Sequence, residues 1–256
     1  MNGYITIEEL GNLSLDFAYS DTPIVSSYQI DFFNNGTFFT TTYGEDVPDL
    51  AFTEMEVDES TSNMVQFDMS CYSAESIYLT LFDNGWLKFT LTHDELNLLT
   101  TTTFDKLFEG LVDKYGDEQP MDIAFSAYTT PRCEFTEGQT GLILTLELQF
   151  IVEGVETAVD LTLNDINTLV DITFENFILT PQIDSLDLGS VTEISSTVGR
   201  VNTLELKEFF NIAMSLLIPF MNEILDEGLE IPHTFLNGAV SIASATFTPH
   251  NDYINI

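Results

Sequence analysis

An α+β fold, most of it antiparallel strand, is predicted by three observations. Alternating or β-branched apolar runs recur along nearly the whole chain, and only two segments switch to helical spacing. The longer of those two is apolar around most of its circumference, so it calls for a curled covering layer; a flat sheet needs only a narrow stripe. With 256 residues, 44% of them hydrophobic, the chain is long and apolar enough to bury a sizeable core, as one large domain or two small ones.

Taken in order, residues 13–19, 28–33, 37–42, 64–71, 76–82 and 86–91 read as strands. Asn35-Gly36 by itself suggests a hairpin between the second and third, and Asp83-Asn84-Gly85 marks a tight turn between the last two. Residues 140–153 place Leu142, Leu144, Leu146, Leu148 and Phe150 on one face, and Gly154 turns the chain into a strand over 155–163. Further strands are expected at 168–179, 190–197, 240–248 and 253–256.

The first helical stripe runs over 103–115, with Phe104, Leu107, Phe108, Leu111, Val112 and Tyr115 three or four apart, a threonine run at its start and Gly116 at its end. The second spans 203–227. Asn202 or Thr203 can cap it, Gly228 can end it, and Pro219 should kink it. Phe209, Ile212, Ala213, Leu216, Phe220 and Ile224 form one face, and Phe210, Met214, Leu217 and Met221 widen it. Such a helix is buried by protein alone, or by protein and a bound ligand.

Charge is the compositional outlier. Forty-two Asp and Glu face six Lys and Arg, for a net charge of −36. The cations Lys88, Lys106, Lys114, Arg132, Arg200 and Lys207 do not cluster, which excludes nucleic acid, heparin and direct anchoring to anionic membranes. The acidity can serve solubility for a chain with 21 Phe and 9 Tyr, salt adaptation, cation binding or a basic partner; no calcium loop of the Asp-x-Asp-x-Asp-Gly type is present. There is no GxSxG elbow, Gly-rich phosphate loop, HExxH or zinc-type Cys/His array, so no enzyme and no cofactor is expected. His93 and His250 read as structural, and Cys71 and Cys133 are either bridged or reduced. Residues 1–9 contain no basic, apolar signal core, and residues 212–221 fall short of the roughly eighteen residues of a membrane span, so a soluble chain, or the soluble processed part of one, is expected.

The C-terminal residues are more specific. Pro219, Asn222, Leu225 and Gly228, followed by Ile231-Pro232, together with the closing Phe247-Thr248-Pro249-His250-Asn251-Asp252-Tyr253-Ile254, resemble the end of the lipopolysaccharide-binding, bactericidal/permeability-increasing and cholesteryl-ester-transfer protein family. Residues 74–78 and 83–91 are similar to the opening of that family's second barrel, and residues 16–39 to the segment that crosses its central sheet. On that analogy Asn35-Gly36 becomes a bulge instead of a hairpin.

The resemblance implies a strongly twisted antiparallel sheet rolled around a long kinked helix and a second helix, the tubular lipid-binding barrel. It divides the chain into central-sheet and linker strands (1–45) and a C-terminal-type barrel (46–256). It implies non-catalytic binding or transfer of a phospholipid or similar acyl lipid in an apolar groove between helix and sheet, with Phe104, Phe108, Leu111, Phe209, Ala213, Leu216, Leu217 and Phe220 as wall candidates, each of which can equally be ordinary core. The alternative is a structural or assembly subunit of the same fold whose acidic face docks a protein. The family's chains carry two barrels behind a secretion signal, so this sequence resembles a processed half, a single-barrel relative or part of something longer, secreted or in a vesicle lumen. Uncovered N-terminal strand edges imply a homo-oligomer or a separate first-barrel chain as partner. The basic tip that recognises endotoxin belongs to the first barrel and is not carried over.

Overall fold

The N-terminal strands build one long, interrupted antiparallel ribbon. β1 (Tyr4–Ile7) pairs with β2 (Leu13–Asp16); the chain runs out through β3 (Ile24–Val25), returns along β4 (Ile30–Asp31) and closes with β5 (Thr37–Thr40) on β2. Asp16 faces Thr37, Tyr19 bridges Asn34, and Val25 faces Ile30, so the expected strands at 28–33 and 37–42 are two pieces of one arm. Gly36 (φ +64) interrupts that arm opposite Asp16, whose carbonyl accepts its N–H at 3.0 Å. The arm reverses instead between Ser26 and Gln29, whose carbonyl accepts the Ser26 N–H at 3.0 Å. The structure, a computed structural model, describes residues 4–7, 13–27, 29–40, 55, 66–153, 156–175, 178–199, 201–230, 234–235, 240–241 and 246–255. The boundary expected at 45/46 lies outside them.

After the short β6 (Asp68–Ser70) comes α1 (Cys71–Asp83), which corrects the expected strand at 76–82. The reason is tertiary. Ser73, Ala74, Ser76 and Thr80 are buried, and small side chains on that face let a helix approach β5 closely: Ser76 Oγ accepts the Phe38 N–H and Thr80 Oγ1 donates to the Phe38 carbonyl. The Asp83-Asn84-Gly85 turn is present, but it ends this helix, with Gly85 at φ +65.

β7 (Lys88–Leu91) then leads to α2 (Thr101–Phe104) and α3 (Leu111–Tyr115). The single helix expected over 103–115 is therefore two pieces, broken at Gly110, which lies at φ +88. Its apolar spacing still buries Phe104, Phe108 and Leu111.

β8 (Met121–Ala127) and β9 (Arg132–Thr136), neither anticipated, precede three long strands: β10 (Gln139–Val152), β11 (Glu156–Glu175) and β12 (Ile178–Ser196). β11 and β12 run through the gaps expected near 164–167 and 180–189. Register shifts at Asp160/Leu161 and Leu169/Val170 bend the pair without ending it. α4 (Thr203–Leu225) follows, capped by Asn202, whose Oδ1 accepts the Glu205 N–H. It ends at Gly228 (φ +64), where a Cβ would sit 2.5 Å from Ile178 Cγ2. β13 (Leu229–Glu230) pairs with the start of β12; β14 (Thr234–Phe235) pairs with β15 (Val240–Ser241); β16 (Thr248–His250) pairs with β17 (Tyr253–Asn255), and β17 pairs in turn with β6.

The main sheet runs β13-β12-β11-β10-β8-β7, with β9 also on β10, antiparallel throughout and open at both ends. Its core face carries Leu148, Phe150, Val159, Leu161 and Leu163, covered by α2, α3 and the first turns of α4. A second cluster joins Cys71 and Ala74 of α1 to Phe135 of β9 and Ile254 of β17, and Cys71 is disulfide-bonded to Cys133. The architecture is α+β, as expected, with an antiparallel sheet and few helices.

Candidate functional site

β12 is the element that positions α4. Among the described residues β13 pairs with it only at Ile178 and Leu179, which leaves the outer edge beyond them with unpaired backbone groups. Polar side chains of α4 meet that edge. Asn222 accepts the Ile183 N–H at 2.7 Å and donates to the Ile183 carbonyl at 2.9 Å; Asn211 accepts the Leu188 N–H at 3.0 Å; Lys207 Nζ donates to the Gly189 carbonyl at 2.6 Å. Asn211 and Asn222 stand about three helical turns apart and share a face. Two amides thus fix both the height and the rotation of the helix on the sheet.

That rotation decides which apolar residues are covered. Leu206 is fully buried, and Phe210 and Met214 pack against the core behind it. Phe209, Ile212 and Leu216, spaced three and four apart, form a stripe on the flank turned away from β12, and they are 40%, 63% and 66% exposed. Phe209 stacks edge-on against Phe210 at 5.6 Å, so the stripe continues into the covered face.

The other wall candidates are distributed as follows. Phe104, Phe108 and Leu111 lie in the core, where the rings of Phe104 and Phe108 meet Phe150 edge-to-face at 5.3 and 4.7 Å. The structure describes the helical backbone of Ala213, Leu217 and Phe220 and not their side chains.

The opposite face of the sheet is polar, and sequence reasoning did not single it out. Two cross-strand rows run over it: Lys88, Ser126, Glu147, Thr162 and Thr192, and beside them Thr90, Ala124, Gln149, Asp160 and Ser195. A cleft of about 400 Å³ opens over the β7–β8 end, lined by Lys88, Phe89, Thr90, Ala124, Phe125, Ser126 and Gln149. The signal was the alternation Glu147-x-Gln149 and Asp160-x-Thr162 within otherwise apolar strands.

Among the described residues, burial raises two carboxyls. Burial holds Asp160 above the usual carboxylate range; the neighbouring negative charge of Glu147 adds to this and the Gln149 amide opposes it. Burial likewise raises Glu75, against the Cys133 N–H and the Arg132 charge. The His93 backbone N–H donates to Asp122 and its ring Nδ1 meets the Leu99 carbonyl at 3.0 Å, while His250 stacks on Tyr253 at 4.8 Å.

Comparison with known proteins places this arrangement. The family model for the C-terminal domain of the LBP / BPI / CETP family matches residues 11–256. The chain belongs to this family. Among relatives, it is 24% identical to Protein TENP of Gallus gallus over 215 residues, covering 81% of this chain and 45% of that protein. It is 22% identical to the Lipopolysaccharide-binding protein of Rattus norvegicus over 250 residues, covering 94% and 51%. A crystal structure of lipopolysaccharide binding protein superposes with a TM-score of 0.54 at 21% identity, covering 95% of this chain and 53% of that one. That likeness shows the shared fold. The chain spans about half the length of these relatives.

Proposed function

We propose that this LBP / BPI / CETP-family chain binds, without catalysis, a phospholipid or similar acyl lipid and passes it between surfaces. In this reading the lipid lies along the uncovered apolar flank of α4, which forms one wall of the binding groove. The observation that carries this reading is the stripe of Phe209, Ile212 and Leu216, apolar surface held outward by the amide anchoring of α4 to β12. A solvent-exposed stripe of this kind is what an acyl chain can cover at about 0.8 kcal/mol per methylene, on the order of 10 kcal/mol for roughly sixteen carbons before ordering losses. Family membership and the name of the rat relative, Lipopolysaccharide-binding protein, support lipid as the ligand class. With only six Lys and Arg in the chain, the anionic lipopolysaccharide itself is the poorer fit.

A second chain covers the ribbon in this reading. Tyr19, Ile24, Val25, Ile30 and Phe32 are exposed on it, which favours a partner, either a second copy or a chain carrying a first barrel. The same observation supports the assembly-subunit alternative. The Cys71–Cys133 bridge supports an oxidising compartment, secreted or vesicular.

Uptake of a self-quenched fluorescent phosphatidylcholine from donor vesicles tests the lipid reading. Saturable dequenching that needs the native protein supports it, and no uptake from neutral or anionic vesicles rejects it. Light scattering after size-exclusion chromatography tests the partner: a monomer at working concentration removes the second copy.

A further inference from the structure

Asp160 lies on the polar sheet face, near the start of β11 between Gln149 of β10 and Ser195 of β12, and its residue is nine-tenths buried. Among the described residues its Oδ1 has no hydrogen-bond partner. A buried carboxylate oxygen left in this state is costly unless something outside the present contacts satisfies it. The surroundings supply further oxygen. Gln149 is the cross-strand partner of Asp160, and Glu147 stands one pleat along β10 on the same face. Glu147 accepts from the Gln149 amide at 3.0 Å through Oε1 and from Ser126 Oγ at 3.4 Å through Oε2. Ser126 and Gln149, at the edge of this cluster, both line the cleft.

We propose that Asp160, Glu147, Gln149 and Ser126 form a site for a hard divalent cation, best matched by calcium, with Asp160 Oδ1 as a ligand.

The donor set is all oxygen: two carboxylates, an amide that turns over to present Oε1, and a hydroxyl, drawn from three adjacent strands. Calcium accepts such irregular, flexible coordination and fills the rest with water, whereas magnesium demands a near-octahedral cage. Among the described residues no group of three or more His, Cys, Asp or Glu could hold a metal, so affinity rests on two charges and the neutral oxygens. Lys88 shares a row with Glu147 but stands two strands away, and its Nζ lies near the Gly85 turn. A site here lies on the opposite face from the α4 stripe and does not depend on the lipid reading.

Calorimetric titration of the full chain with calcium chloride at fixed ionic strength tests the site, with magnesium chloride as comparator. The result expected is one saturable site with a dissociation constant of about 10⁻⁴–10⁻³ M. Asp160→Asn and Glu147→Gln, which keep side-chain shape, weaken it at least about tenfold, while the exposed Asp184→Asn leaves it unchanged. Absence of saturable heat overturns the proposal. So does equal calcium binding by wild type and Asp160→Asn, because that is general screening of a net charge of −36.

Discussion

Cys71, the first residue of α1, is disulfide-bonded to Cys133 in β9 across a sequence separation of 62, and one turn further along α1 Glu75 Oε1 accepts the Cys133 N–H at 2.8 Å. The bridge and the hydrogen bond fix the start of a helix on the side of a strand pair, next to the closing strand β17. In the chain-entropy account, a loop of this length contributes about 4 kcal/mol. Replacing both cysteines by serine should lower unfolding stability by that order, read as a shifted urea midpoint. Dithiothreitol should act on the wild type in the same direction and leave the double variant unaffected.

The exposed stripe of α4 separates binding from stability. Ile212→Asn with Leu216→Asn changes only solvent-facing positions, so the unfolding midpoint should move by well under about 1 kcal/mol. Phospholipid uptake should fall at least about tenfold, since each side chain offers about 1.5–3 kcal/mol of apolar contact. Unchanged uptake would place the lipid elsewhere.

Phe108 gives the opposite pattern. It is fully buried between α2, α3 and Phe150. Phe108→Ala should cost about 3–5 kcal/mol in chemical denaturation. If lipid loading restored most of that loss, Phe108 would be a groove wall as well as a core residue.

Asp160 gives a pH signature. Its carboxyl is raised in the folded state, so its contribution to stability is fully present below the unfolded value and is lost as pH rises through the folded one. In chelator-treated protein, Asp160→Asn should melt higher than wild type at about pH 8, and the gap should shrink toward about pH 5. Thermal melts at constant ionic strength measure this; a gap that widens on acidification contradicts the assignment.

The sequence carried the family-level architecture and the β10–β11 hairpin, because strict alternation from Leu144 to Phe150 and the turn signal of a glycine at 154 leave little freedom of period. It misled at α1. Ile77, Tyr78 and Phe82 have strand character, while the helix is specified by small residues that matter only once β5 and β9 are present. It also misled at Gly110, whose left-handed backbone splits a helical stripe that keeps its spacing across the break. The breadth of the apolar arc on α4 was legible. Which part of the arc stays uncovered was not, since that follows from Asn211 and Asn222 bonding an edge 23 and 39 residues away. The polar face escaped notice because, among 42 acidic residues, nothing local marks Asp160 as buried.

Lipid mass spectrometry on a solvent extract of the natively purified chain, with protein quantified in parallel, bears most directly on the central claim. The account predicts near-stoichiometric lipid of one acyl class, lost in the Ile212→Asn, Leu216→Asn variant. A lipid-free extract from gently handled wild type, with a stoichiometric protein partner in its place, would contradict it.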